Sequence, residues 1–590
     1  MSEKGTKKKK FDFGLLARII SLAAPYKRLF ALTIFLAVTV APVSMLRPYI
    51  ISVMVDDYIL FNDLPGLYKM GIVFVVVVFL TVALRYLMIY FSSLLGQSVI
   101  RDLRKNVFDH ITSLRLRYFD QTPIGKVTTR TINDVETINT VFTQGLITMA
   151  ADLLGIFAVI GIMFFTSWRL TLLVLAVFPF LIIAAYIFKE KVKVAFEKVR
   201  GELSNMNAFL QERITGMNII QIFNAEEQEM RKFKKINRRY TQANLDAITY
   251  YAIFFPVVEM FNYLTLAILV YVGANYVIHE EVSLGALVAF PWYINLLFSP
   301  VRMLADKFNT LQMGMVAGDR VFLELDRQEV IPDRGYRKPK ELSGRVEFRD
   351  VDFSYDGEVQ ILKKVNFILD EEKTLAIVGS TGSGKTTIIN VLARFYDIAA
   401  GQVLIDGEDL KTYKLKDLRS KMAVVLQDVF LFHGSVYENI TLRNKSIPLE
   451  KVKEAAASIG ADRYIDALPK AYDYLVMERG ANLSMGQRQL ISFVRALVTD
   501  PDILILDEAT SSIDTETEEI IQYAIEKLIA KRSSIIIAHR LSTIRNADYI
   551  MVMEKGKVLE LGHHNELMQN QEGKYRELYE MQFSAEEAIS

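Results

Sequence analysis

Two rhythms of apolar and polar positions divide this chain. From 29 to 304, long apolar runs alternate with polar pieces of very unequal length. Six runs, at 29–53, 69–91, 145–166, 170–188, 252–277 and 284–304, come up to the roughly 20 residues a helix needs to cross a bilayer. Val73-Phe74-Val75-Val76-Val77-Val78-Phe79-Leu80 is the plainest. The pieces 55–68, 167–169 and 278–283 are short, whereas 92–144 and 189–251 are long and strongly charged. Within the long pieces apolar residues recur at helical spacing, from Val99 to Phe108 and from Met206 to Ile222. The second to fifth spans are therefore expected to continue as helices well beyond the membrane. Each long piece must reverse once, near Thr122-Pro123-Ile124-Gly125 and near Ile222-Phe223-Asn224-Ala225-Glu226, and Pro with Gly breaks the helix at the first. Both reversals are candidate contacts with the second half of the chain.

Charge orients these helices. Lys and Arg crowd the long pieces and the run Lys7-Lys8-Lys9-Lys10, which puts both on the cytoplasmic side. The short pieces carry Asp56, Asp57, Asp63, Glu280 and Glu281. An even number of crossings returns the chain to the cytoplasm. Residues 11–29 are amphipathic and contain Arg18, Lys27 and Arg28; they are expected to form a short helix along the inner membrane surface, or else a disordered tail. They lack the apolar core and small-residue cleavage site of a signal peptide. Overall, 69 Lys and Arg balance 68 Asp and Glu, so no nucleic-acid partner is indicated. The absence of Cys excludes disulfides, thiolate metal sites and a cysteine nucleophile.

Polar groups inside spans are costly and often mark a pathway. Arg85, Glu259, Asn262 and Asn295 qualify, with Arg47 and Arg302 nearer an interface, and Tyr86, Tyr90, Phe255, Tyr263, Trp292 and Tyr293 interleave with them. They line a cavity for amphipathic substrates on one reading and tie helices together on the other.

The second rhythm begins after residues 316–343, which are charged, contain Pro332 and Pro339, and read as a linker. Beyond it, short apolar strands alternate with helical patterns, the sign of an α/β domain. The expected fold is thus multidomain. A basic tail and interfacial helix (1–28) precede an all-α six-helix transmembrane domain (29–315); the linker (316–343) leads to an α/β nucleotide-binding domain (344–590).

Gly379-Ser380-Thr381-Gly382-Ser383-Gly384-Lys385-Thr386 fits the phosphate-loop pattern G-x-x-x-x-G-K-[ST], between an apolar strand and a helical run opening at Thr387. Its glycines let backbone N–H groups wrap a triphosphate, and the helix N-terminus favours an anion. Lys385 is expected to reach the β- and γ-phosphates of ATP and Thr386 to ligate Mg²⁺, with Thr387 beside them. Ile503-Leu504-Ile505-Leu506-Asp507 is an apolar strand ending in a carboxylate suited to Mg²⁺, and Glu508 follows, suited to polarise the attacking water. His539 ends another apolar strand and is a candidate γ-phosphate contact.

These residues, with others, resemble the nucleotide-binding domain of ATP-binding cassette transporters. Leu483-Ser484-Met485-Gly486-Gln487, followed by Arg488-Gln489, is similar to that family's signature. Gln427 in Val424-Val425-Leu426-Gln427-Asp428 resembles its glutamine loop, Ser512-Ile513-Asp514 its D-loop, and Tyr355 the aromatic that stacks on adenine. Glu478-Arg479-Gly480 looks like a loop found in exporters. The first half resembles the six-span exporter half-transporter: Tyr118-Phe119-Asp120 through Gly125, then Asn133-Asp134, look like one coupling segment, and Asn224-Ala225-Glu226 lies near the other. The resemblance covers nearly the whole chain.

It implies that two such chains pair head to tail, with ATP between the phosphate loop of one and Ser484, Met485, Gly486 and Gln487 of the other. Gln427 and Asp514 join that site, Gln427 also as a Mg²⁺ neighbour. Embedded in the lipid of a plasma (inner) membrane, the pair would drive efflux of amphipathic drugs or lipids by alternating access. A lipid flippase, or a regulator or channel with little hydrolysis, are the alternatives, and the presence of both Glu508 and His539 argues against the latter. One departure matters: Met485 stands where the family usually has Gly. Met enters positive φ less cheaply and is bulkier. The chain is then either the competent half of a heterodimer or a homodimer that tolerates Met.

Overall fold

A computed structural model describes residues 12–329, 333–507, 515–538 and 544–587. The candidates Glu508, Asp514 and His539 lie outside the described residues. The chain divides into two compact units: residues up to Ser113 with Ile124–Arg327, and Leu114–Pro123 with the chain from Gln328 onward.

The first unit is helical. Helix Phe13–Ser21 opens at Asp12, whose carboxylate accepts the Leu15 N–H at 3.1 Å. Helices Leu64–Ser113, Trp168–Thr215 and Glu226–Ile278 have 50, 48 and 53 residues. At 1.5 Å per residue each is roughly 70–80 Å long, more than twice the hydrocarbon core of a bilayer. The expected extensions are present, and each reversal holds a short helix, Leu116–Gln121 or Met217–Ile222, rather than a bare turn. Among the described residues, five helical runs, Ala24–Ile59, Leu64–Ser113, Ile124–Thr166, Trp168–Thr215 and Glu226–Ile278, are long and apolar enough to cross a membrane. The apolar part of the next helix, Leu284–Pro300, is shorter. Leu170, Val174, Phe254, Val258, Leu269, Phe290 and Leu297 form the buried centre of the bundle.

Several charged residues are settled by pairing. The helix Leu284–Leu325 continues through 316–325, a stretch whose charges read as linker. Its polar residues face other helices: Glu324 is buried and pairs with Arg130 and, at 3.2 Å, with Arg327, while Arg320 meets Asp134 at 3.5 Å. Lys307 pairs with Asp152, a link the sequence did not suggest. Of the polar candidates in the spans, Asn262 donates to Asn295 at 3.4 Å, and Arg85 and Glu259 are exposed on the single chain. Tyr293 departs from the expected cavity wall: it is buried, edge-on to Phe290 at 5.8 Å.

The second unit is α/β. Its strands are β1 (Val346–Phe353), β2 (Leu362–Leu369), β3 (Thr374–Val378), β4 (Ala400–Ile405), β5 (Glu408–Asp409), β6 (Met422–Val425), β7 (Gly434–Ser435), β8 (Leu475–Val476), β9 (Ile503–Asp507), β10 (Ser533–Ile537), β11 (Tyr549–Glu554) and β12 (Lys557–Gly562). An antiparallel sheet runs β2-β1-β4-β5, β7 pairs with β8, and a six-stranded sheet runs β12-β11-β3-β10-β9-β6, parallel except for β12. The parallel strands read as continuous apolar runs because both faces are covered. Leu375, Ile377, Ile505, Ile535 and Ile537 join the core under the antiparallel sheet; Ala376, Val378, Leu504, Leu506 and Ile536 join the core with the helices Met485–Val498 and Thr515–Ile529.

Candidate active site

The carboxyl ends of β3, β9 and β6 lie along one edge of the parallel sheet, where α/β folds bind ligands. Register places Ile377 level with Ile537, Ile537 level with Asp507, and Leu506 level with Val425. The phosphate loop leaves β3, Asp507 ends β9, and Gln427 follows β6 by two residues. The phosphate loop, Gln427 and Asp507, far apart in the sequence, are thereby gathered at one edge by strand order alone.

The loop's shape depends on its glycines. Gly379, Gly382 and Gly384 have φ of 152°, 82° and 107°. A Cβ on Gly379 would stand 2.2 Å from the Met553 carbonyl oxygen, so that turn admits no side chain. Gly384 caps the helix Lys385–Leu392. The Lys385 side chain folds back over the loop and donates to the carbonyls of Gly379, at 2.7 Å, and Ser380, at 3.1 Å. Burial pushes its pKa below the ordinary lysine value, and the Asp507 charge opposes that shift. Ser383 Oγ is buried with no hydrogen-bond partner among the described residues. An orphaned hydroxyl, a desolvated ammonium and a loop closed to side chains suit a triphosphate. Thr386 is exposed beside them, whereas Thr387 turns inward.

Thr387 meets Tyr355 instead: their hydroxyls lie 3.2 Å apart, and Asn390 Nδ2 donates to Tyr355 Oη at 3.1 Å. The half-buried Tyr355 ring stands edge-on to Phe353 and Tyr396, with centroids at 4.8 and 5.0 Å. Sequence reading missed Asn390 and Tyr396, which no motif spacing marks.

The signature residues open the helix Met485–Val498. Ser484 Oγ accepts the Gln487 N–H at 3.2 Å and Gln487 Oε1 accepts the Ser484 N–H at 3.0 Å, a reciprocal capping box. Gln487 is thus engaged by its own helix. The preceding loop bends at Arg479 and Gly480, with φ of 58° and 69°, and Arg488 Nη1 donates to the Arg479 carbonyl at 3.4 Å.

Residues 30–301 match the family of the ABC transporter transmembrane region, and 362–511 match the ABC transporter family. The chain is 37% identical over 582 residues to an uncharacterized ABC transporter ATP-binding protein, YknV, of Bacillus subtilis, covering 98% of this chain and 96% of that one. It is 38% identical over 508 residues to a probable multidrug resistance ABC transporter ATP-binding/permease protein, YheH, of the same organism, covering 85% and 75%. A putative multidrug export ATP-binding/permease protein of Staphylococcus aureus is 36% identical over 578 residues, 96% of this chain and all of that one. The chain is an ABC transporter. Its helical membrane domain and ATPase domain share one chain, the half-transporter arrangement of ABC exporters. This ABC exporter is embedded in a membrane with its ATP-hydrolysing domain in the cytoplasm.

In this ABC exporter Met485 carries no backbone strain, contrary to the expectation from its place in the signature. It is the first residue of its helix and is not at positive φ, so no glycine is required there. What remains is the bulk of its half-buried side chain beside Ser484.

Proposed function

We propose that two of these half-transporters pair head to tail and export amphipathic compounds, drugs or lipids, by alternating access. The observation that carries the reading is the desolvated Lys385 beside Asp507 on the sheet edge, in a chain whose membrane helices run far past the bilayer. ATP would lie on the phosphate loop, Gly379 to Thr386, with its base on Tyr355. Thr386, Asp507 and Gln427 would hold Mg²⁺, which when bound offsets charge on the phosphates. Glu508 would orient the water, and His539 and Asp514 would complete the site with Ser484, Met485, Gly486 and Gln487 of the second chain. Ser380, Thr381 and Gly382 would contribute backbone N–H groups, and Ser383, whose N–H bonds the Ser380 carbonyl, its hydroxyl. Relatives named for multidrug export support the substrate class, as do the exposed Tyr86, Tyr263 and Trp292 beside Arg85, Glu259 and the Asn262–Asn295 pair.

The test is reconstitution in proteoliposomes with a panel of amphipathic dyes and lipids. Glu508→Gln is expected to keep ATP binding and to lower turnover at least about 100-fold, with transport abolished. Transport that persists without hydrolysis would remove the export reading and leave the channel. Dimers of the single purified chain with full ATPase activity would favour the homodimer, and inactivity rescued by a second half-transporter the heterodimer.

A further inference from the structure

Tyr396 lies beside the proposed nucleotide site and touches both Tyr355 and the chain between two membrane helices. Its ring meets Tyr355 edge-on at 5.0 Å and 88°, and Phe353 at 5.8 Å and 73°. Its hydroxyl donates to the Asp120 carboxylate. Asp120 belongs to the segment Leu114–Pro123, which forms part of the ATPase unit although covalently continuous with helix Leu64–Ser113. Two further links fix that segment: Arg115 reaches Asp397 at 3.7 Å, and its N–H donates to the Glu329 carbonyl at 2.9 Å.

The chemistry of the pair is directional. Burial, then the hydrogen bond to Asp120 and its charge, push the Tyr396 pKa up, so the phenol keeps its proton and remains the donor to the carboxylate. Charge-assisted bonds of that kind are roughly twice as strong as neutral ones. On its other side, Tyr355 is held through its hydroxyl by Thr387 and Asn390, both on the helix that follows the phosphate loop. Among the described residues Tyr355 meets Phe353 and Tyr396 edge-on, and Tyr396 is the one bonded to Asp120, so its ring links Tyr355 to that carboxylate.

We propose that Tyr396 is a positioning residue that transmits occupancy of the Tyr355 ring by a nucleotide base to Asp120 and so to the segment Leu114–Pro123. The membrane helices then respond to the base of the nucleotide and not to its triphosphate alone. The inference rests on the proposed stacking of adenine on Tyr355. Two sites that share one movable element affect each other's affinity by the same factor.

The chain has no Cys, so an introduced Gln121→Cys, at an exposed position beside Asp120, takes a single bimane label. The labelled full chain in lipid nanodiscs is titrated with AMP-PNP and, separately, with ribose 5′-triphosphate, which lacks the base. AMP-PNP is expected to shift the emission, and the base-free triphosphate, at saturation, to give less than about a fifth of that shift. Tyr396→Phe keeps the ring against Tyr355 and cuts the bond to Asp120. In that variant and in Asp120→Asn, the AMP-PNP shift should fall at least about fivefold while affinity stays within about twofold. The double variant should lose no more than either alone. A full shift in Tyr396→Phe, or an equal shift from the base-free triphosphate, overturns the proposal. Unchanged AMP-PNP affinity in Tyr355→Ala would instead sink the stacking on Tyr355, whatever the Tyr396 variants do.

Discussion

The Lys385 ammonium donates to the carbonyl of Gly379, 2.7 Å away, at the opposite end of its own phosphate loop. A second bond, to Ser380, holds the side chain over the loop. The cation is thus fixed over the loop, and burial holds its pKa below the ordinary lysine value. A triphosphate brings negative charge to the ammonium and raises that pKa again. Binding then takes up a proton wherever the free lysine is partly neutral, so affinity falls as pH rises through its free-state pKa. Isothermal titration with AMP-PNP between about pH 7 and pH 10 is expected to show that fall. Lys385→Met should bind weakly at every pH and lose that part of the slope; an unchanged slope would mean another group takes up the proton.

Tyr355 carries two separable roles. Its hydroxyl is bonded by Thr387 and Asn390, and its half-buried ring is the proposed platform for the base. Tyr355→Phe removes the first role alone and should leave the KM for ATP within about threefold, because the bonds it loses, each worth about 1 kcal/mol net, are internal to the protein and bear on folding rather than on binding. Tyr355→Ala removes both and should raise that KM by about tenfold or more, since stacking of a base on an aromatic is worth about 1–3 kcal/mol. ATPase titrations of both variants in one lipid composition make the comparison. Equal effects would assign the loss to the hydroxyl bonds.

Arg18 on the amino-terminal helix grips Asp326 with two bonds of 2.7 and 2.6 Å, and its guanidinium lies 4.1 Å from the Phe322 ring centre. Ile19 fills the notch at Gly318, where a Cβ would stand 2.8 Å from its side chain. The Arg18 bond holds the Asp326 carboxyl below its usual range, so the pair is intact above that range and is lost as pH falls through the lowered value. Both side chains are about half exposed, so the ion pair is screened and worth no more than about 1 kcal/mol. Arg18→Ala should therefore raise hydrogen exchange across 13–21 modestly, and Gly318→Leu, which fills the notch, should raise it more. Similar exchange in both variants and the parent would show that the helix is held by lipid rather than by this contact.

The fold was legible where one local rule dominates. Apolar runs of membrane length named the helices, and the glycines with Lys385 named the phosphate loop. The apolar run ending in a carboxylate placed Asp507 at a strand end, and β9 ends there. Sequence failed where a residue's role is set by a distant neighbour. Residues 316–325 looked like a linker because Arg320 and Glu324 are charged, but their partners, Asp134 and Arg130, lie nearly two hundred positions earlier. Thr387, expected beside the phosphates from its place after Thr386, also meets the Tyr355 hydroxyl, a partner that no local spacing marks. Tyr293 looked like a cavity wall for want of any local sign that it faces the bundle centre.

Met485 separates backbone strain from side-chain bulk in the signature. Strain would predict relief on replacing Met by Gly. The residue instead begins a helix with ordinary backbone angles, directly after the Ser484 cap. Gly at a helical position costs up to about 1 kcal/mol relative to better helix formers, and less in the first turn. Met485→Gly is thus expected to loosen the first turn of Met485–Val498, seen as faster hydrogen exchange there, and to leave maximal ATPase within about twofold. Ser484→Ala should loosen the same turn more, by about 1 kcal/mol, because it removes the bond from the Gln487 N–H to Ser484 Oγ. A rise in turnover of several-fold for Met485→Gly, with exchange unchanged, would show that the thioether crowds the phosphate of the facing site, and would make the chain a half-transporter adapted to an unlike partner.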